Sequence, residues 1–87
     1  MNRVEQIIVL SEGFALAAGL SISTVSWRVF GDTKKVAALQ DGADLQTRRA
    51  DKAVQWFSDN WPAEADWPLG IERPAPRRAL QEVRANA

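Results

Sequence analysis

The sequence contains no cysteine and no histidine. Without cysteine there is no disulfide, no thiolate metal site and no thiol nucleophile. Without histidine, the commonest general base and the commonest nitrogen ligand for transition metals are both missing. Carboxylates can act with magnesium or on glycosides, but no two of them stand in a recognisable pair. The expectation is a protein that is not an enzyme and carries no cofactor, no metal and no evident small-molecule ligand. No hydrophobic run reaches the length of a membrane span. The stretch IIVLSEGFALAAGL comes nearest to a signal-peptide core, yet Glu12 stands inside it and Arg3 is followed by Glu5, whereas such a core is normally uncharged. A cytoplasmic protein with no membrane partner is expected. Charge of one sign is not in excess either: 11 basic residues meet 11 acidic ones. That balance runs against nucleic-acid binding, where a basic total is usual.

What is present is ordinary globular composition, 46% hydrophobic and 25% charged over 87 residues, enough for one domain with a modest core. The charges are unevenly spread, with six basic residues against four acidic ones over residues 28–52. Residues 53–70 hold Asp59, Glu64 and Asp66 with no basic side chain, while residues 28–52 hold Arg28, Lys34, Lys35, Arg48, Arg49 and Lys52.

Apolar or small residues at Val4, Ile7, Ile8, Phe14, Ala15 and Ala18, with Ser11 among them, recur in steps of three and four and predict a helix over 2–18. Gly13 falls on its opposite face in this register. Gly19 stops the helix, as glycine does at C′, and Ser21 is placed to cap a second helix. There Ile22, Val25 and Val29 form the inward stripe, while Ser23, Thr24 and Trp27 point the other way and Arg28 lies on the flank. Gly31-Asp32 ends it. A third segment, 33–40, carries Val36 and Leu39 and closes on Asp41-Gly42, a turn signal. A fourth, from about 45 to 60, aligns Ala50, Ala53, Val54 and Phe57, with Trp61 continuing the face. All four prolines fall in WPAEADWPLGIERPAP, which excludes a regular helix there. That segment is expected to fold back over the helices, with Trp56, Trp61 and Trp67 as packing groups. Residues 77–85 can form a short last helix. The fold class expected is all-α, with four to five helices.

A helix ending in glycine, a turn of about three residues and a second helix with a polar outer face is the helix-turn-helix arrangement. Small Ala15 lets the helices approach, Leu20 and Val25 fill the angle between them, and the outer face of the second helix is free to enter a major groove. AAGLSISTVS resembles the helix-turn-helix of lac-repressor-like headpieces: Ala15, Gly19, Leu20, Ser21, Thr24, Val25 and Ser26 stand at matching positions. Downstream, LQDGADLQTRRADKAVQWF is similar to the segment after the recognition helix in lambda-repressor-like (Cro-type) regulators. Two features depart from the pattern. Arg28 stands where an apolar residue is usual, passing that role to Val29, and DTKKVAAL is longer than the usual link.

The resemblance implies a small tri-helical or lambda-repressor-like transcriptional regulator, most simply a repressor, that binds double-stranded DNA as a homodimer. Its recognition helix would run from about Ser21 to Phe30. Base contacts are expected from Ser23, Thr24, Trp27 and Arg28, and phosphate contacts from Ser21, Lys34, Lys35, Arg48 and Arg49. Residues 1–61 would form the DNA-binding domain and residues 62–87 an extension packing on or beside it. Small size suggests a phage or mobile element. Other readings stay open. Trp27 is alternatively a partly covered core residue, and the basic pairs a solvated face. The same fold can serve as an antirepressor or adaptor that binds protein, as the acidic, tryptophan-rich segment 56–67 suggests. An RNA binder draws on aromatic content alone.

Overall fold

The computed structural model describes residues 1–77, which form four helices: α1 (Arg3–Ala18), α2 (Ile22–Phe30), α3 (Lys35–Gln40) and α4 (Thr47–Asn60). Among the described residues there is no strand, and no single helix is long and apolar enough to cross a membrane. The short helix expected over 77–85 lies, beyond Arg77, outside the described residues.

Helix α1 starts at Asn2, whose side chain accepts the Glu5 N–H at 2.8 Å while the Glu5 carboxylate reaches back to the Asn2 N–H. This reciprocal pair satisfies two of the donors that a helix start leaves open. The helix ends at Gly19, held in the left-handed region at φ 68°, with the Leu20 N–H closing on the Ala15 carbonyl at 2.9 Å. Ile7, Leu10, Ser11, Phe14 and Ala15 face the core. Ser11 is tolerated there because its hydroxyl donates to the Ile7 carbonyl.

Three positions differ from the sequence register. Leu10, outside the expected stripe, is fully buried. Ala18 is exposed, being the last residue before the turn. Gly13 does not face solvent: a Cβ there would stand 3.3 Å from the Trp61 ring. The missing side chain is what lets that indole lie against α1.

Helix α4 packs mainly on α1 and buries Ala50, Ala53, Val54, Phe57 and Ser58. Phe14 sits at the centre of the contact, with its ring edge-on to Trp56 at 5.2 Å and to Phe57 and Trp61 at 5.9 Å each. Such edge-to-face pairs add about 0.5–1.5 kcal/mol each to the burial of the rings themselves. Helix α4 begins at Thr47, after extended backbone at Gln46, rather than at Leu45. Helix α3 begins at Lys35, because the Asp32 carboxylate takes the Lys34 N–H at 2.8 Å and holds residues 32–34 in a turn.

The proline-rich segment returns along α4. Trp61 and Trp67 donate their indole N–H groups to the carbonyls of Ala65 and Ile71. Arg73 reaches the Ser58 carbonyl at 2.8 Å, and the Ser58 hydroxyl donates to the Pro74 carbonyl. Gln55 joins Asp59 to the Ala75 carbonyl. Burial pushes the Asp59 carboxyl up, but the Arg77 backbone N–H, the Gln55 amide and the Arg77 guanidinium outweigh it, leaving its pKa below the usual 3.8.

Ser26 was matched in sequence only as part of the motif, yet it joins α2 to α3. Its side chain is fully buried, donates to the Asp32 carbonyl and accepts the buried Val36 N–H at 3.0 Å. Ser26→Ala leaves that N–H without a partner and is expected to cost about 1–3 kcal/mol. Urea denaturation of the variant at the parent's midpoint would contradict this role. The Asp59 contact makes a second, pH-dependent contribution. Its folded pKa lies below the unfolded value, so its stabilisation is complete above 3.8 and fades as the pH falls through the folded pKa. The melting-temperature gap between parent and Asp59→Asn is therefore expected to narrow from about pH 5 to about pH 2. A gap constant over that range would show that the carboxylate's charge does not contribute.

Candidate nucleic-acid interface

The chain turns by 117° between α1 and α2. Gly19 supplies the left-handed residue, Leu20 packs half-buried against the core, and Ser21 opens the next helix. The Ser21 hydroxyl accepts the Thr24 N–H at 3.1 Å and pairs with the Thr24 hydroxyl at 3.0 Å. Val25 and Ser26 are fully buried, and Ile22 and Val29 pack on the core's edge. These four fix the rotation of α2.

The opposite side is consequently settled. Ser21, Ser23 and Arg28 are exposed, Thr24 is half-buried and Trp27 has 59% of its surface in solvent. One helix face thus offers hydroxyls at its start, an indole in the middle and a guanidinium near its end. Arg28 suits the negative end of the helix dipole, and Gly31, at φ 71°, stops α2 with its N–H on the Trp27 carbonyl.

The basic pairs are placed differently. Lys34 is exposed and Lys35 half-buried, both at the start of α3 immediately after the α2 stop. Arg48 and Arg49 occupy the first turn of α4. Neither helix start has an acidic residue in its first turn or a side-chain cap. Cations at the positive end of a helix are locally unfavourable, so these residues weaken the helix starts they occupy. The structure separates the arginines. Arg49 lies over the Phe30 ring at 5.7 Å, which attaches it to the end of α2. Arg48 lines a different cavity of about 500 Å³, with Thr47, Asp51, Lys52, Gln55 and Arg77. Of the nine expected contact residues, Ser23, Thr24, Trp27 and Arg28 lie on α2, Ser21 caps it, Lys34 and Lys35 stand at the start of α3, Arg49 adjoins the end of α2, and Arg48 is apart.

Sequence reading missed the Phe30–Arg49 stack and the Ser26 bridge. Both connect residues distant in sequence, and neither has a local periodic signal. No family model, curated protein or solved structure matches the chain.

Trp27 offers a direct check on the rotation of α2. The emission difference between the parent and Trp27→Phe is expected at long wavelength and readily quenched by iodide, with the variant melting as the parent does. A blue-shifted, unquenched difference spectrum would place the indole in the core.

Proposed function

We propose that α1, the Gly19 turn and α2 act as a helix-turn-helix that carries α2 into the major groove of double-stranded DNA. The protein would regulate transcription by occupying its sites as a homodimer, most simply as a repressor. The observation that carries this reading is the outer face of α2: an exposed indole, an arginine and three hydroxyl side chains on a helix held at 117° to its predecessor. Helix pairs of this motif cross at about 90–120°.

Each side chain has a plausible chemistry in the groove. Arg28 can donate two hydrogen bonds to a guanine edge, and the Thr24 methyl and the Trp27 edge can pack on thymine methyl groups. Ser23 can donate or accept. Ser21 caps α2, Lys34 and Lys35 follow its stop and Arg49 lies over Phe30 at its end; these would hold phosphates, which position a protein without reading sequence. Arg48 requires the duplex to extend past the start of α4. The unfavourable placement of basic residues at two helix starts supports a role outside folding.

The adaptor alternative rests on the zero net charge and on the acidic, tryptophan-rich segment 56–67. Trp61 and Trp67 of that segment pack edge-on to each other at 5.1 Å, which leaves its carboxylates and the charge balance as the features that support a protein partner.

Random-site selection on duplex DNA is expected to return a palindromic consensus. On that duplex, Thr24→Ala and Arg28→Ala should each weaken binding by about 1–3 kcal/mol where the side chain meets a base edge. The Lys34→Ala/Lys35→Ala variant should flatten the salt dependence by about 0.9 per lost phosphate contact, leaving sequence preference intact. Mobility shifts showing equal affinity for every duplex would contradict a specific regulator.

A further inference from the structure

We infer that the protein carries a plug and a socket through which one copy binds another: Leu69 on one copy enters the cavity lined by Val29, Phe30, Arg49, Lys52 and Ala53 on the next. This goes beyond the DNA-binding reading and does not depend on it.

The plug is a leucine with 97% of its surface in solvent. It stands between Pro68 and Gly70 at the tip of a braced turn. The Trp67 indole N–H closes the turn on the Ile71 carbonyl at 2.7 Å, and Gly70 adopts φ 83°. Ile71 is buried, and the Trp67 ring is held between Trp61 and the Arg73 guanidinium, the latter at 5.2 Å. Exposed Glu64, Asp66 and Glu72 flank it in sequence, three carboxylates against the one guanidinium of Arg73, which bonds Ser58 and lies over Trp67. The plug is therefore apolar at its tip and acidic around it.

The socket has the complementary character. Its cavity, about 220 Å³, is lined by half-buried Val29 and Phe30, buried Ala53 and exposed Arg49 and Lys52, with no carboxylate in its lining. That volume admits an isobutyl group. Because Leu69 is in solvent, it does not fill the cavity of its own chain. The charges of this chain sum to zero, so copies meet without net repulsion, and the carboxylates near Leu69 oppose the cations that line the cavity.

One side chain with a charged rim is far smaller than a standard interface. The contact is weak, with a dissociation constant of roughly 1 mM. It gains weight where copies are already neighbours, since tethering nearby supplies effective concentrations of that order. Arg49 also belongs to the proposed phosphate contacts, so the association is tested without DNA. Its failure leaves the DNA reading standing, and failure of DNA binding leaves this one standing.

The experiment is sedimentation equilibrium of the full chain near roughly 1 mM, at low salt. The parent is expected to self-associate, and added salt to weaken that association. Leu69→Asp, Leu69→Ser and Arg49→Glu/Lys52→Glu each alter exposed residues and should remain folded, with association at least about tenfold weaker. An equimolar mixture of Leu69→Asp with Arg49→Glu/Lys52→Glu retains one sound socket and one sound plug, so it should form a heterodimer. A monomeric parent, leucine variants that associate as the parent does, or a mixture that stays monomeric while the parent associates would each overturn the proposal.

Discussion

Everything proposed for α2 depends on the backbone at Gly19. A left-handed residue costs an ordinary amino acid about 1–2 kcal/mol, whereas glycine adopts it freely. With φ at 68° and the Leu20 N–H on the Ala15 carbonyl, α1 is closed off and the chain is turned into a new direction. Leu20 is thereby set against the core and Ser21 at the head of α2, where its hydroxyl takes the Thr24 N–H. Buried Val25 and Ser26 then lock the helix about its own axis. Without that turn the same residues would continue α1, and the indole at position 27 would have no defined direction.

The rest of the molecule reads as support for this pair of helices. Phe14 fastens α1 to α4 through three aromatic neighbours, and the proline-rich return seats Trp61 against the gap left by Gly13. Among the described residues, every buried side-chain nitrogen and oxygen has a hydrogen-bond partner. The surface is less economical. Basic residues stand uncapped at the starts of α3 and α4, and two large apolar side chains, Leu16 and Leu69, are 87% and 97% exposed.

What was legible in the sequence was local. Glycine and serine at positions 19 and 21 carry their backbone preferences with them, and the three-and-four spacing of Val25, Val36, Leu39, Ala50, Ala53, Val54 and Phe57 named most of the core. Distant partners were not legible. Nothing near Gly13 announces that Trp61 will lie on it, and nothing near Ser26 announces that the Val36 N–H will need its oxygen. Four prolines exclude a helix beyond Trp61 without saying that the chain will return to Ser58. The divergence of Arg48 and Arg49 is different: neighbours on a helix point about 100° apart, so a pair adjacent in sequence need not share a face.

The central claim is that α2, placed by the Gly19 turn, is the surface that meets DNA. Backbone amide NMR of the labelled protein, titrated with a duplex at low salt, tests it most directly. The account predicts shifts concentrated at residues 21–28, with a second group at 34, 35 and 49, while residues 61–71 stay still. Spectra that do not change, or changes confined to residues 61–71, would contradict it.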